Sequence, residues 1–171
     1  AIITKEIMYQ RKKTKKRKFV FYCRPIVNRN LFHLGAMAII KVFQKGLFSN
    51  GEDWEFYGMG IGNVRIVLDH DTYLMQLPRM SLEEYQNTIN TFDLGLTLMG
   101  SPHPSLTPFD LAASGCVVVT NSFSTKTAEY FSTISKNIIC TPPTLSDVEE
   151  AITLGIKCES RVKFIPQPTD Q

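Results

Sequence analysis

Two arginines after a short apolar run are residues whose type and spacing suit the binding of an anion. Arg24 and Arg29 stand five positions apart, after the apolar run at residues 19–23 and before a helical pattern that begins at residue 31. Guanidinium groups bind phosphate through paired hydrogen bonds, and the free N–H groups at a helix N-terminus also favour an anion. The spacing therefore indicates a phosphate site. The alternative is that both side chains simply point into water.

A polar loop further along the chain is the second candidate anion site. It carries His103 and Ser105 and leads into Thr107, Pro108 and Asp110. Thr107 stands where an N-cap residue belongs, Pro108 fits the first helical position, and Asp110 follows the cap by three residues. The N–H groups of such a helix start would face the loop, so an anion could bind there. The alternatives are a plain capping role for Asp110 and a loop histidine bonded to backbone.

The elements that must position these residues alternate along the chain. Apolar runs and helical spacing predict strands at residues 19–23, 54–57, 64–68, 73–77, 94–99, 116–120 and 137–140, with helices at residues 31–44, 82–92 and 146–156 and a short helix after Pro108. This order predicts an α/β, Rossmann-like fold, which is a mostly parallel sheet with helices on both faces. Ligands of such sheets bind outside the carboxyl ends of the strands, where both polar loops fall.

Local signals mark where the predicted helices begin and end. Asn28 or Asn30 can cap the first helix, and Gly46 can end it. Residues 81–84 and residues 146–149 both have capping-box sequences. Together these signals predict the starts of three helices and the end of the first.

Two further motifs are weaker. Gly58 and Gly60 follow the second strand in a G-x-G-x-G run that does not open a helix, as a dinucleotide fingerprint must, so a tight turn near a ligand is the interpretation. Asp69 and Asp71 stand on a turn between two predicted strands with no further ligands nearby in sequence. An ordinary turn is therefore favoured over a metal site.

Length and composition limit the class of protein. The chain has 171 residues, is 43% hydrophobic and carries a formal net charge of +3, which is typical of a soluble globular domain. No apolar run approaches the roughly 18 residues that a membrane span needs, and no signal peptide opens the chain. Four widely separated cysteines indicate reduced thiols in a cytoplasmic protein. The chain opens on Ala1 rather than Met, which predicts a fragment of a longer protein.

A block of basic residues precedes the predicted folded domain. Residues 11–18 contain seven lysines and arginines interrupted only by Thr14. We predict a basic lead-in at residues 1–18, the folded domain at residues 19–160 and an extended tail at residues 161–171. The block is either a solvated lead-in or a contact with the anionic inner face of a membrane. Nucleic acid is disfavoured because no stacking aromatic residues are interleaved with the block.

Four motifs in a fixed order give the chain a resemblance to a known family. They are Arg24-x4-Arg29 after the first strand, Gly58-x-Gly60 after the second, residues 77–85 before a helix, and residues 108–119. From about residue 19 to residue 156 the chain resembles the C-terminal, donor-binding half of a GT-B glycosyltransferase. More narrowly, the residues around both arginines and those at positions 101–105 are similar to bacterial rhamnosyltransferases that use dTDP-rhamnose in surface-polysaccharide assembly.

The resemblance implies roles for particular residues. Arg24 and Arg29 would hold the donor diphosphate. The residues expected to contact the donor sugar or the ribose are His103, Ser105, Leu106, Thr107 and Asp110, and those expected in the loop near the nucleotide are Gly58, Gly60, Arg79 and Met80. Pro102 stands where the family has its first acid, so His103 is left as a candidate catalytic residue and the stereochemistry stays open.

The function that the resemblance implies is transfer of a sugar, with rhamnose a candidate, from a nucleoside diphosphate to a glycan or a lipid-linked acceptor. The nucleotide sugar is a substrate, so no cofactor is expected, and the arginines make a metal ion unnecessary. The acceptor-binding domain is expected in an N-terminal part outside this sequence, so this chain alone would bind the donor and transfer little sugar. The alternative is a non-catalytic Rossmann-like module held at a membrane or a nucleic acid by its basic segment.

Overall fold

The structure is a computed structural model that describes residues 3–10, 16–60, 64–103, 105–158 and 160–167. It has eight strands, β1 Ile3–Gln10, β2 Arg17–Tyr22, β3 Trp54–Met59, β4 Met75–Gln76, β5 Leu94–Thr97, β6 Val117–Asn121, β7 Ile138–Thr141 and β8 Ser160–Gln167. The α-helices are α1 Phe32–Gln44, α2 Leu82–Ile89, α3 Thr107–Ala113, α4 Ala128–Ser132 and α5 Leu145–Lys157.

Six strands form one parallel sheet in the order β4-β3-β2-β5-β6-β7. The chain moves outward from β2 to β3 and β4, then returns to the other side of β2 as β5. Strands β2 and β5 therefore flank the point where the strand order reverses. Open α/β sheets bind their ligands outside the carboxyl ends of the strands at this point. The predicted α/β, Rossmann-like fold is confirmed.

Side chains that alternate along each strand build one core on each face of the sheet. Phe19, Phe21 and Val119 pack with α1 and α5, whereas Val20 and Val118 pack with α2, α3 and α4. A parallel sheet that is covered on both faces reads as a continuous apolar run, because every position along the strand is buried. The runs in the sequence therefore predicted these strands well.

Two glycines allow the helices on the first face to approach the sheet closely. An added Cβ at Gly35 in α1 would lie 2.5 Å from Cζ of Phe21, and one at Gly155 in α5 would lie 2.5 Å from Cδ1 of Leu94. Such separations are far below a normal carbon contact, so a side chain at either position would force the strand side chain or the helix to move.

At residues 64–68 and 73–77 the structure differs from the two predicted strands. The structure has a single antiparallel bridge between Val67 and Tyr73 and the two-residue strand β4 beside β3. Apolar residues of both segments do belong to the core, since Ile66, Leu68 and Leu74 are buried. A strand also needs a partner along its length, however, and at this outer edge β3 pairs with only two residues of the segment.

The turn between them carries the two aspartates considered as metal ligands. Oδ1 of Asp69 accepts hydrogen bonds from the backbone N–H groups of Asp71 and Thr72 at 2.9 and 2.7 Å. These bonds lower the pKa of the Asp69 carboxyl. The carboxylate therefore serves the turn itself. Within the part of the chain that the structure describes, no group of three or more His, Cys, Asp or Glu side chains could hold a metal ion.

Three helix starts differ from the predictions. Asn30 does not cap α1, because its side chain accepts a hydrogen bond from the N–H of Arg24. Leu31, at φ 50°, holds the cap position without a side-chain hydrogen bond. Helix α3 begins at Thr107 itself, so Leu106 holds the cap position without a side-chain hydrogen bond. Helix α5 is capped by Thr144 rather than by residue 146.

Two of the predicted helix signals are confirmed. Ser81 and Glu84 form a reciprocal capping box at the start of α2. Gly46, at φ +75°, follows the end of α1, as a glycine in the left-handed region does.

The two chain ends pair with each other. Strand β1 lies in the predicted lead-in, and β8 runs from the last residue of the predicted folded domain into the predicted tail. The two strands form an antiparallel two-stranded sheet. Residues 11–15 of the basic block lie outside the described residues, whereas Arg17 and Lys18 are the first two residues of β2. Among the helices in the described ranges, none is both long and apolar enough to cross a membrane.

Candidate functional site

The candidate site lies at the carboxyl ends of β2, β5 and β6, next to the reversal of strand order. Two loops form it, and we call them the arginine loop, residues 24–30, and the histidine loop, residues 98–106. The first connects β2 to α1 and the second connects β5 to α3. Each holds one of the two polar motifs that the sequence singled out.

The arginine loop is held in shape by its own backbone and by one buried amide. The N–H of Val27 donates to the carbonyl of Arg24 at 3.0 Å. Oδ1 of the buried Asn30 accepts from the N–H of Arg24 at 2.8 Å and so closes the loop. The side chains of Arg24 and Arg29 are exposed. The fixed loop therefore presents two guanidinium groups to solvent.

One backbone contact joins the two loops. The N–H of Gly100 donates to the carbonyl of Arg29 at 2.6 Å. Nδ2 of Asn30 also lies 3.6 Å from Sδ of Met99. The arginine loop and the start of the histidine loop are consequently positioned relative to each other.

Asn121, at the end of β6, holds the histidine loop from the other side. Its Oδ1 accepts from the N–H of Met99 at 2.7 Å, and its Nδ2 donates to the carbonyl of Met99 at 3.0 Å and to that of Ser122 at 3.2 Å. The side chain is fully buried. The Asn121 amide thus bonds to both the N–H and the carbonyl of Met99, as a neighbouring strand would. These two bonds fix the backbone where the histidine loop begins.

A buried lysine completes the support. Nζ of Lys126 donates to the carbonyl of Met99 at 2.9 Å, and only 2% of the residue is exposed. Burial lowers the pKa of Lys126, and the nearby Cys140 opposes the shift. Lys126 therefore ties the segment after β6 to the start of the histidine loop.

A polar network joins α2 to the start of α3. The hydroxyl of Tyr85 donates to Oδ2 of Asp110 at 3.0 Å. Burial raises the pKa of Tyr85, and the negative charge of Asp110 raises it further. Oγ of Ser105 lies 3.5 Å from Oγ1 of Thr107, the first residue of α3. Polar contacts therefore occur on both sides of the first turn of α3.

Comparison with known proteins decides the family. A family model described as the WsaF C-terminal domain matches residues 17–153, which include all the parallel strands and the loops of the site. The chain belongs to this family. The WsaF C-terminal domain is a glycosyltransferase domain, so the predicted glycosyltransferase resemblance is confirmed at this level. No curated protein matches the chain in sequence.

Several solved structures share the fold of this WsaF-type domain. It is similar to the apo structure of OtsA, with a TM-score of 0.62, 11% identity, and 85% of this chain covering 36% of that chain. The E. coli trehalose-6-phosphate structure bound with UDP-2-fluoro glucose gives a TM-score of 0.62 at 12% identity with the same coverage. The GtfA/B complex gives a TM-score of 0.55 at 16% identity, with coverage of 84% and 28%. The chain spans about a third of the first two structures, and likeness at such identities shows the fold alone.

The structure of the WsaF-type domain brings most of the predicted site residues to one edge. The two arginines lie on one loop, and His103, Ser105, Leu106, Thr107 and Asp110 follow on the adjoining loop and helix. His103 is exposed, and its backbone N–H donates to Oγ of Ser101 at 3.3 Å. Leu106 is 77% exposed, although it is a large apolar residue. Pro104 lies outside the described residues.

The residues predicted near the nucleotide are more dispersed. Gly58 lies inside β3, where its carbonyl accepts from the N–H of Leu77. Gly60 has φ +78°, and a Cβ there would lie 3.0 Å from the carbonyl oxygen of Cys23, so a glycine is required for the turn. Arg79 is exposed and Met80 is half-buried. Residues 61–63 of the glycine run lie outside the described residues.

Sequence reasoning missed four residues that support the site. Asn30, Asn121 and Lys126 are buried, and Tyr85 is half-buried on the helix beside Asp110. A signal for Asn121 did exist, because it is a polar residue directly at the carboxyl end of a buried strand. Tyr85 belongs to the motif at residues 77–85 and to the apolar spacing of α2, and neither pattern predicts a role at the site.

Proposed function

We propose that this chain is the donor-binding domain of a glycosyltransferase and binds a nucleoside diphosphate sugar at the carboxyl edge of its sheet. The observation that carries the proposal is the pair of exposed arginines on a loop that Asn30 and Gly100 hold in place. Two fixed guanidinium groups at the strand reversal suit a diphosphate in both charge and geometry. Helix α3 has only seven residues, so we assign binding of the diphosphate to the arginines and not to the helix N-terminus.

The proposed reaction breaks the bond between the anomeric carbon and the diphosphate oxygen and forms one to an acceptor hydroxyl, whose proton passes to a base. The leaving diphosphate gains negative charge in the transition state. Arg24 and Arg29 stabilise that charge, and no metal ion is required for this role. Asp110 accepts hydrogen bonds from ribose hydroxyls, and His103 and Ser105 contact the sugar.

The acceptor site and the base belong, in this proposal, to another part of the whole protein. The chain covers 36% of the OtsA structure that it resembles, which is consistent with one domain of a larger enzyme. We therefore expect this chain alone to bind the donor and to transfer little sugar. The acceptor would be a glycan or a lipid-linked glycan.

Rhamnose is our candidate for the donor sugar. The support is the similarity of the residues around Arg24 and Arg29, and of residues 101–105, to rhamnosyltransferases. A cytoplasmic location is part of this proposal, and its support is that Cys23, Cys116, Cys140 and Cys158 are free thiols. Peripheral contact of residues 11–18 with an anionic membrane stays a prediction, since most of that block lies outside the described residues.

Isothermal titration of the chain with dTDP, UDP, GDP and dTDP-rhamnose tests the proposal. At least one should bind, and addition of EDTA should leave the affinity unchanged. Arg24→Ala and Arg29→Ala should each weaken the diphosphate by about 10- to 100-fold, because a hydrogen bond to a charged group contributes about 1.5–3 kcal/mol. The free nucleoside should bind the variants as it binds the wild type.

Arg65→Ala is the matched control. Arg65 is an exposed arginine near the outer edge of the sheet, where its guanidinium stacks on Tyr73 at 4.0 Å. Its loss should not change nucleotide affinity. No binding of any nucleotide at millimolar concentration would refute the proposal, and equal losses for nucleoside and diphosphate would refute the role of the arginines.

A further inference from the structure

The hydrogen bond between Tyr85 and Asp110 crosses from one helix to another at the candidate site. Tyr85 is on α2 and Asp110 is in the first turn of α3. The capping box of Ser81 and Glu84 fixes the start of α2, and the N–H of Tyr85 donates to the carbonyl of Ser81 at 2.9 Å. The tyrosine ring packs against the core on this face of the sheet. The hydroxyl is thus held from a rigid element.

Asp110 gains a defined orientation from this contact. It is an exposed residue with a short side chain, and an exposed carboxylate samples several rotamers. Ordering a side chain on binding costs free energy, so a contact that already fixes the carboxylate improves affinity without touching the ligand. The Tyr85 bond occupies Oδ2, which leaves Oδ1 as the oxygen that can accept from a ligand hydroxyl.

The Tyr85 phenol is the donor in the contact with Asp110. Burial and the Asp110 charge raise the pKa of Tyr85, so the phenol stays protonated and remains a donor at neutral pH. A hydrogen bond to an ionised carboxylate is stronger than one between neutral groups.

We propose that Tyr85 is a positioning residue of the donor site, which orients the Asp110 carboxylate so that one of its oxygens accepts a hydrogen bond from a ribosyl hydroxyl of the nucleotide. This inference rests on the proposed donor-binding function. Tyr85 itself does not touch the nucleotide. The role is specific for the ribosyl hydroxyls, and the diphosphate is bound elsewhere by the arginines.

Tyr85→Phe, titrated with two nucleotides, tests this role. UDP carries both ribosyl hydroxyls, and 2′,3′-dideoxy-UDP carries neither; dTDP and its 3′-deoxy counterpart serve as a second pair. We expect the variant to bind UDP and dTDP three- to tenfold more weakly than the wild type and to bind the dideoxy nucleotides equally well. On an Asp110→Ala background, Tyr85→Phe should cause no further loss.

Tyr57→Phe is the matched control, because the Tyr57 hydroxyl also donates to a carboxylate, Oε2 of Glu55, at 2.8 Å. That pair lies on β3, and its loss should leave every affinity unchanged. Equal weakening of UDP and the dideoxy nucleotide by Tyr85→Phe would overturn the positioning role and indicate general loosening, and so would a further loss on the Asp110→Ala background. If the wild-type chain bound none of these nucleotides, the proposed function would fail and this inference with it.

Discussion

The two ends of the parallel sheet use the same kinds of buried polar residue for different purposes. At the amino ends of the strands, Nη1 of Arg17 donates to the carbonyl of Ile156 at 2.7 Å and the N–H of Lys18 donates to Oδ2 of Asp93 at 2.8 Å. Nδ2 of Asn137 donates to the carbonyl of Ala112 at 2.9 Å. These contacts join one secondary-structure element to the next and contribute to the fold.

At the carboxyl ends the buried polar residues hold loops instead. Asn30, Asn121 and Lys126 bind the backbone of the arginine loop and the histidine loop. The charged residues on or next to those loops, among them Arg24 and Asp110, are exposed. A polar residue that is lost at the amino ends should therefore affect stability alone. One lost at the carboxyl ends should affect stability and ligand binding together.

The largest expected effect tests this difference at Asn121. Asn121→Ala removes the three hydrogen bonds of a fully buried side chain and leaves the N–H of Met99 without its partner. We expect the free energy of unfolding to fall by about 3 kcal/mol, since each unsatisfied buried group costs about 1–3 kcal/mol. We also expect the affinity for a nucleoside diphosphate to fall by more than about tenfold, because ordering a displaced loop on binding costs free energy. Urea unfolding and isothermal titration measure the two quantities.

Asn137→Ala is the control at the opposite end. It removes the buried bond to Ala112 and should lower the free energy of unfolding by about 2 kcal/mol. Nucleotide affinity should stay at the wild-type value. If Asn137→Ala weakened the nucleotide as much as Asn121→Ala did, the two ends of the sheet would not differ in the way described.

A smaller effect concerns pH and a thiol beneath the arginine loop. Cys23 follows β2 and is fully buried, and burial raises its pKa to about 12 from 9.0. A pKa raised by folding means that the folded state keeps a proton that the unfolded chain releases above pH 9. Stability from this group is present below pH 9 and is lost as the pH rises from 9 toward 12.

We therefore expect Cys23→Ala to make the fold less sensitive to alkali. Between pH 8 and pH 10 the wild type should lose about 1.4 kcal/mol more of its free energy of unfolding than the variant, which is the value of one pKa unit. Urea titrations at the two pH values measure this difference. Equal losses in both proteins would show that the thiol does not contribute. Comparing the change with pH, rather than the absolute stability, separates ionisation from lost packing.

The sequence predicted the sheet well because the relevant information is local. A strand buried on both faces is a continuous apolar run, as residues 117–119 show. The capping box at Ser81 needs only residues three positions apart. Strand β4 was beyond such reasoning, because its length depends on how many residues of β3 remain available to pair.

The site was predictable in part for the same reason. The arginine pair and the polar loop are short motifs, so their spacing pointed to them. The contacts of Asn121 and Lys126 with Met99 span 22 and 27 residues and end on backbone atoms, which any residue supplies. Tyr85 and Asp110 are 25 residues apart. No spacing rule relates such partners, so they appear only after the strands are placed side by side.

Helix α5 shows how a local signal can be ambiguous and supplies the smallest predicted effect. Its start has two overlapping cap sequences, one from Thr144 to Asp147 and one from Ser146 to Glu149. In the structure Oγ1 of Thr144 accepts from the N–H of Asp147 at 3.2 Å and donates to Oδ2 of Asp147 at 2.6 Å. Asp147, three residues after Thr144, thus returns the contact, and the cap lies two residues earlier than the predicted cap at Ser146.

Thr144→Ala should therefore lower the free energy of unfolding by about 1 kcal/mol, which is typical for a lost N-cap, whereas Ser146→Ala should change it by less than about 0.5 kcal/mol. Neither should alter nucleotide affinity. Thr144 also lies at the carboxyl ends of the strands, but beside β7, which is one of the two edge strands of the sheet. A loss of affinity in Thr144→Ala would mean that the whole carboxyl edge supports the site. Unchanged affinity confines that support to the loops that meet at β2, β5 and β6.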